Sequence, residues 1–155
     1  MEGAFEIEKP SMTATTFVDT NVLVYAHDLD AGAKRERAVA VLRTLWEQKA
    51  GRLSTQVLQE FYVNVTQKIA TPISRGRARE VVRNYAAWVE TTITPASVLR
   101  ASEISEAHQI SFWDSLIVAA AEQEGASVIL SEDFQHERII SGVRVVNPFL
   151  ATYTA

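Results

Sequence analysis

Short apolar runs alternate along the chain with longer segments in which apolar residues recur every three or four positions. These two patterns are typical of strands and helices, respectively. The strand candidates are Thr15–Val18, Arg52–Ser54, Thr91–Thr94, Ser127–Leu130 and Val143–Val146. The last two runs are almost continuously apolar rather than alternating, as expected for strands buried inside a parallel sheet. The pattern therefore predicts an α/β fold, in which helices flank a central parallel β-sheet.

The helical spacing predicts two helices in each of the first three intervals between these strands and none in the last. The first predicted helix begins at Thr20. The others span Ala33–Lys49, Val57–Ile69, Arg75–Trp88, Ala96–His108 and Phe112–Glu124. Ser74 and Ser111 stand at N-cap positions, and Gly51 is interpreted as the residue that closes the second helix. Because Leu116–Ala121 is apolar on every side, the last helix is expected to be buried.

The length and composition of the chain predict one globular domain. The 155 residues are 47% hydrophobic and 22% charged, and none is cysteine. The absence of cysteine excludes disulfides and thiolate metal sites and agrees with a reducing cytoplasm, where we expect the protein to reside. No apolar run is long enough to span a membrane, and the N-terminus does not resemble a signal peptide. We expect an N-terminal extension over residues 1–12, the domain over 13–150 and a tail over 151–155.

Four carboxylates follow strands or begin helices, so the predicted topology can bring them together. Asp19 directly follows the first predicted strand, and Asp133 follows the strand that ends at Leu130. Asp114 lies in the first turn of the last helix, and Glu60 lies near the start of the third. In a doubly wound sheet, the carboxyl ends of strands and the N-termini of helices meet at one crevice. The net charge of −4 argues weakly against a general nucleic-acid-binding protein, so the position of these acids decides how that charge is interpreted.

Each acid taken alone also has a simpler interpretation. Asp19 and Asp133 can cap the helices that follow them. Asp114 stands three residues after Ser111, which is the spacing of a capping box. Glu60 lies off the centre of the apolar stripe of its helix, which favours a solvated position.

Taken together, the four acids predict a metal site. Clustered carboxylates repel one another unless a cation compensates their charge. A set of oxygen ligands without cysteine or suitably spaced histidine suits Mg²⁺ or Mn²⁺ better than zinc. Such a site can polarise a phosphoryl group and activate a water molecule, so the chemistry it indicates is phosphodiester hydrolysis.

At these residues the sequence resembles a PIN-domain nuclease, and particularly a ribonuclease toxin of the VapC type. The resemblance covers about residues 15–149 and rests on FVDTNVLVYA (17–26), STQVLQEFYVNV (54–65), FWDSLIVAAA (112–121), VILSEDF (128–134) and VRVVNPF (143–149). Two other families with acidic sites on α/β folds fit less well. Haloacid-dehalogenase phosphatases need an aspartate where Asn21 stands, and phospho-receiver domains need a late lysine, whereas none follows Lys68.

The resemblance implies a single PIN-like domain with a metal-binding and catalytic quartet of Asp19, Glu60, Asp114 and Asp133. It also implies that Asn21 and Ser131 support this site, although members more often have threonine at the latter position. Whether Glu132 joins Asp133 stays open, with the motif register favouring Asp133. The resemblance further implies Mg²⁺ or Mn²⁺ as cofactor, RNA as substrate, a homodimer and a cognate antitoxin protein.

The remaining polar and aromatic residues give weaker indications. Arg75, Arg79 and Arg83 share one helix face, and this face either contacts RNA or an acidic partner or is simply solvated. The three histidines show no ligand spacing. The three tryptophans are interpreted as core or interface residues rather than as surfaces on which bases stack.

Two rival functions remain open from the sequence. One is a PIN nuclease that processes RNA or cuts DNA and has no antitoxin. The other is a non-catalytic PIN module that only binds RNA or protein, against which the intact set of four acids argues.

Overall fold

The computed structural model describes residues 14–150, which form a five-stranded sheet flanked by helices. The strands are β1 (Thr16–Val18), β2 (Gly51–Arg52), β3 (Val128–Leu130), β4 (Ile139–Ile140) and β5 (Val143–Val146). Their order is β2-β1-β3-β5-β4, and all neighbours are parallel except the antiparallel pair β4 and β5. The predicted α/β class is thus confirmed. The predicted extension and tail lie outside the described residues.

Six α-helices connect these strands within residues 14–150. They are α1 (Thr20–Ala26), α2 (Ala33–Gln48), α3 (Thr55–Val63), α4 (Arg75–Tyr85), α5 (Pro95–His108) and α6 (Phe112–Gln123). A π-helical turn, Asn64–Lys68, extends α3, and a 3₁₀ turn, Ala86–Trp88, extends α4. The predicted caps at Ser74 and Ser111 are present, since each hydroxyl accepts the N–H of the residue three positions later. None of the described helices is long and apolar enough to cross a membrane.

The sheet is buried at its centre, as the apolar strands predict. Phe17, Ile129 and Val145, one from each of the three central strands, have no exposed surface. The apolar run Leu116–Ala121 of α6 is buried along its whole length. Burial of the central strands fixes the positions of the residues that follow them at the carboxyl edge of the sheet.

The interpretation of Gly51 as the end of α2 is wrong. The left-handed position after α2 belongs to Lys49, whose φ is 55°, and Gly51 lies in β2. A Cβ atom at Gly51 would lie 2.5 Å from the indole ring of Trp88, which packs with Trp46 and Tyr85. Glycine is therefore needed at this position because an aromatic ring covers the backbone, and not because a helix ends there.

The predicted strand Thr91–Thr94 is also absent, because a side chain binds the backbone that a neighbouring strand would have bound. The Glu124 carboxylate accepts the N–H groups of Glu90 and Thr91 at 3.2 and 3.3 Å. It also accepts the hydroxyl of Thr91 at 3.0 Å. The segment therefore follows α4 as an irregular connection to α5.

Strand β4 has no counterpart in the sequence-based prediction. It pairs with β5 across a two-residue turn at Ser141 and Gly142, whose φ values are 53° and 81°. Two consecutive positive φ values are the signature of a type I′ hairpin turn. The Ser-Gly pair between Ile139–Ile140 and Val143 was therefore the signal from which this hairpin could have been found.

Candidate metal and catalytic site

The carboxyl ends of β1 and β3 lie side by side and bring Asp19 next to Ser131. Val18 and Leu130 are paired in the register of the two strands, and the Asp19 N–H continues the ladder by donating to the Leu130 carbonyl at 3.0 Å. The Ser131 N–H donates to the Val146 carbonyl of β5 at 3.0 Å. Three parallel strands therefore end at the same level, as the topology predicts.

Asp19 is a buried carboxylate that also caps α1, so both interpretations of this residue fit the structure. One oxygen accepts the Thr20 N–H at 2.7 Å, and the other accepts the Ser131 hydroxyl at 2.7 Å. The pKa of Asp19 is raised from 3.8 to about 7, mainly by burial and to a lesser extent by the negative charges of Asp133 and Glu60, against the opposing effect of the hydrogen bonds from Ser131 and Thr20. The side chain is thus costly to ionise where it lies.

Asn21 and Ser131 connect the two aspartates that follow β1 and β3. The Asn21 amide nitrogen lies 3.0 Å from an Asp133 carboxylate oxygen, 3.1 Å from the Ser131 hydroxyl and 3.4 Å from an Asp19 oxygen. The Asn21 carbonyl oxygen accepts the Glu132 N–H at 3.3 Å, and the Ser131 hydroxyl accepts the Asp133 N–H at 3.0 Å. These bonds fix the short segment after β3 against the start of α1.

Glu132 has a different environment from its neighbour Asp133. Its carboxylate accepts hydrogen bonds from Lys34 Nζ at 2.7 Å and from the Tyr25 hydroxyl. The Lys34 ammonium also lies 4.9 Å from the centre of the Tyr25 ring. Asp133, and not Glu132, is therefore the acid that Asn21 holds beside Asp19.

Glu60 is half-buried and held by both of its oxygens, so the expectation of a solvated side chain is wrong. The Thr20 hydroxyl donates to one oxygen at 2.5 Å, and the Gln56 amide donates to the other at 3.2 Å. The same amide donates to the Trp113 carbonyl of α6 at 3.2 Å. The apolar stripe did not reveal this arrangement because α3 also faces the N-terminal turns of α1 and α6 with its polar residues.

Gln56 and Thr20 are the residues at the site that the sequence-based interpretation missed. Gln56 is 6% exposed, and its amide group connects Glu60 to the first turn of α6. Its own carbonyl oxygen is buried and accepts no hydrogen bond within the described residues. The four-residue spacing between Gln56 and Glu60, which puts both on one helix face, was the available signal.

Asp114 completes the set from the N-terminal turn of α6. Its N–H donates to the Ser111 hydroxyl at 3.1 Å, so Ser111 caps the helix. Burial raises the pKa of Asp114, and the negative charges of Asp133 and Glu60 raise it further. Because the same two acids also raise the pKa of Asp19, the four predicted residues interact electrostatically at one edge of the sheet.

The donor set of this edge fits a hard divalent cation such as Mg²⁺ or Mn²⁺ in its chemistry. All four acids offer oxygen, and none of the ion pairs formed within residues 14–150 involves any of them. In the same range, no three Asp, Glu, His or Cys side chains are close enough to hold a metal ion in their present positions. Neutral donors hold Asp19 and Glu60, so no positive side chain compensates either carboxylate.

None of the ion pairs described within residues 14–150 joins the three predicted arginines to the four acids. Arg75, Arg79 and Arg83 are exposed along α4, and none of the ion pairs or hydrogen bonds described above involves them. Arg79 and Arg83 border a cavity of about 620 Å³ between α3 and α4, which is otherwise lined mainly by apolar groups. The structure therefore does not connect this basic face with the acidic edge.

The tryptophans differ strongly in their environments. Trp88 is buried and Trp46 is 46% exposed beside it, whereas Trp113 is 65% exposed. Trp113 is thus not a core residue. The half-buried His27 contacts the backbone instead, since its Nδ1 atom lies 3.0 Å from the Leu23 carbonyl oxygen. None of the hydrogen bonds described within residues 14–150 joins it to an acid of the site.

Comparisons with known proteins agree with this architecture. The sequence profile of the PIN domain matches residues 16–140, and no curated protein matches the sequence. Solved structures with a similar fold include a toxin–antitoxin complex from Klebsiella pneumoniae, with 19% identity, a TM-score of 0.60 and coverage of 87% of this chain and 98% of that one. VapC20 of Mycobacterium tuberculosis, described as a toxin that cleaves the sarcin–ricin loop, has 21% identity and a TM-score of 0.59, with coverage of 84% of this chain and 99% of that one. VapBC2 of Rickettsia felis, bound to a fragment of promoter DNA, has 19% identity and a TM-score of 0.58, with coverage of 84% of this chain and 96% of that one.

Proposed function

The chain belongs to the PIN-domain family, and on that premise we propose that it is an endoribonuclease that depends on Mg²⁺ or Mn²⁺. The observation that carries the proposal is a hydrogen-bond network at the carboxyl edge of the sheet. Asn21 and Ser131 connect Asp19 with Asp133. Thr20 and Gln56 connect Glu60 with the start of α1 and with the first turn of α6, which carries Asp114. Asp19 caps α1 and Asp114 lies in the first turn of α6, but Glu60 lies in the second half of α3, so the four acids have no common structural role as caps. A shared cation gives all four the same role.

In this proposal Asp19, Glu60, Asp114 and Asp133 hold the metal. When bound, a divalent ion polarises the phosphodiester and lowers the pKa of an attacking water. Asp19 is only partly ionised near neutral pH without a cation, because its pKa is about 7. A positive charge beside it favours the carboxylate, so ionisation of Asp19 and occupation of the site are linked.

The neighbouring polar residues position these acids. Asn21 and Ser131 keep Asp19 and Asp133 at a fixed spacing. Thr20 and Gln56 hold Glu60. Hydrogen bonds to a carboxylate fix its orientation, so these four residues set the orientation of Asp19, Asp133 and Glu60 at the site.

We further propose that the protein is the toxin of a toxin–antitoxin pair, acts as a homodimer and is blocked by its antitoxin at the cleft. The similarity in fold to toxins crystallised alone or with their antitoxins supports this interpretation. The exposed face of Arg75, Arg79 and Arg83 is a candidate contact for RNA or for an acidic segment of the antitoxin. An open reading frame for a small antitoxin beside the gene would support the toxin function. Its absence would favour a PIN nuclease that processes RNA or cuts DNA.

The decisive experiment compares cleavage of RNA and DNA oligonucleotides by the wild type and by Asp19→Asn and Asp114→Asn. We expect cleavage of RNA with Mg²⁺ or Mn²⁺, none with excess EDTA, and at least about a hundredfold loss in each variant, comparable to the loss of a major electrostatic contribution. Equal activity in wild type and variants refutes the assignment of the site. Absence of metal-dependent cleavage of any nucleic acid, with retained RNA binding, supports the non-catalytic module.

Adjacent acids provide a matched control for this experiment. Asp133→Asn removes the carboxylate that Asn21 holds beside Asp19, whereas Glu132→Gln changes the carboxylate bound by Lys34 and Tyr25. We expect cleavage to be lost in the first variant and to stay within about threefold of wild type in the second, since the Glu132 carboxylate binds Lys34 and Tyr25 and none of the hydrogen bonds described joins it to the four acids. Loss of activity in the Glu132 variant alone would reverse the assignment of these two residues.

A further inference from the structure

Trp113 leaves a large aromatic surface in solvent at the edge of the acidic site. It is 65% exposed and lies in the first turn of α6, directly before Asp114. An exposed leucine or isoleucine is common on a folded protein, but an indole offers far more apolar area and a flat face to a ligand. The position of this ring beside a proposed catalytic acid therefore calls for a functional explanation.

The backbone and ring of Trp113 are both held in place. Its carbonyl oxygen accepts the Gln56 amide at 3.2 Å, and the same amide donates to Glu60. Its ring meets that of Phe112 edge-on, with ring centres 5.3 Å apart and planes at 81°, and Phe112 packs against the core. An edge contact covers at most one face of an indole, so the other face is available to a flat ligand.

The surroundings of Trp113 are more polar than those of a protein-docking surface. Its sequence neighbour Asp114 is half-buried and acidic, Ser111 is exposed, and Gln56 and Glu60 lie beneath its backbone. Protein interfaces are centred on contiguous apolar patches depleted of charge. A single exposed ring instead offers the flat face on which a nucleobase stacks, and a divalent cation at the proposed site would offset the charge of the neighbouring carboxylates.

We propose that the indole of Trp113 forms a nucleobase-binding subsite, on which the base of a nucleotide flanking the cleaved phosphodiester stacks. The inference rests on the proposed function, which places that phosphodiester beside Asp114. Each base is joined to its phosphate through a single sugar, so a strand held at the acids presents a base within reach of the neighbouring residue. Stacking of this kind needs an unpaired base, so the preferred substrate is a single-stranded or looped RNA.

The first test measures binding of a short fluorescent single-stranded RNA with Ca²⁺ in place of Mg²⁺, so that binding is separated from turnover. We expect Trp113→Ala to weaken binding about 5- to 150-fold, the range that corresponds to loss of one base–aromatic stack. Trp113→Phe, which keeps an aromatic face, is expected to stay within a few-fold of wild type. The matched control is Ile139→Ala, because Ile139 is 64% exposed at the far edge of the sheet on β4.

The second test identifies the ligand of the indole. An abasic ribose-phosphate chain of the same length should bind to wild type and Trp113→Ala equally, because it has no base to stack. The proposed subsite is overturned if Trp113→Ala loses as much affinity for the abasic chain as for the RNA. It is also overturned if Trp113→Ala loses no affinity for the RNA. A change of oligomeric mass in Trp113→Ala, measured by light scattering, also overturns it, since the ring would then be a protein contact. If the wild type cleaves RNA while Trp113→Ala binds and cleaves normally, only the subsite is refuted; if the wild type neither binds nor cleaves RNA, the proposed function fails as well.

Discussion

The buried carboxylate of Asp19 should make the metal-free protein less stable as the pH rises, and Asp19→Asn isolates this effect. Burial and the neighbouring acids raise the pKa of Asp19 from 3.8 to about 7. Between these two values the folded protein holds a proton that the unfolded chain releases. Stability is therefore greatest below the unfolded pKa and falls until the pH passes the folded pKa.

The size of this effect follows from the two pKa values. At about 1.4 kcal/mol for each pH unit between them, the ionised Asp19 costs up to about 4 kcal/mol in the folded state. Asparagine has nearly the same shape and no charge to desolvate, so the variant lacks this cost. We expect wild type to lose up to about 4 kcal/mol relative to Asp19→Asn between pH 4 and pH 8.

Urea unfolding in EDTA at several pH values measures this difference directly. The other titratable groups are present in both proteins, so their contributions largely cancel. At pH 8, addition of Mg²⁺ or Mn²⁺ should stabilise wild type by about 2.7 kcal/mol at a hundred times its dissociation constant, and the variant by much less. A free-energy difference that is constant from pH 4 to pH 8 would refute the reasoning.

Two further substitutions test other contacts of the fold and site. Gln56→Met removes both hydrogen bonds that connect Glu60 to α6. We expect the melting temperature to change little, because the Gln56 carbonyl oxygen is already buried without a partner in the described residues. We expect kcat to fall about tenfold or more, because Glu60 loses a residue that positions it. Gly51→Ala should lower the free energy of unfolding by about 1–3 kcal/mol, since the added methyl group would lie 2.5 Å from Trp88. In the matched control, Gly76→Ala on α4, the methyl group meets only an arginine side chain at 3.9 Å and should raise it by up to about 1 kcal/mol; urea unfolding of both variants distinguishes steric overlap from a general effect of removing glycine.

The sequence was sufficient to predict elements whose local pattern and tertiary environment agree. Val143–Val146 and the buried run of α6 have the predicted positions because their apolar residues can be satisfied only inside the sheet or beneath it. Thr91–Thr94 differs because its strand-like residues find their hydrogen-bond partner in Glu124, a contact 33 residues away that no local pattern contains. The two-residue strand β4 is too short to give a periodic signal, and only its turn residues indicated it.

The candidate site shows the same division between local and long-range information. Asp19 and Asp133 could be located because Asp19 directly follows β1 and Asp133 lies three residues after the end of β3, and strand ends are predictable. The environment of Glu60 could not, because it depends on Thr20, 40 residues away, and on the packing of α3 against α6. Helical periodicity describes which face of α3 meets the core, but it does not describe which polar residues meet another polar surface.

The two edges of the sheet limit how other chains can bind to this protein. Each edge strand, β2 or β4, has only two residues, and at β2 the Arg52 guanidinium covers the Gly51 carbonyl while the Leu53 N–H is bound by the Trp88 carbonyl. A peptide that adds itself to a sheet needs a longer row of free backbone groups than these edges offer. The protein is thus protected against edge-to-edge aggregation through its sheet, and a partner must recognise it through the side chains of its helices and loops.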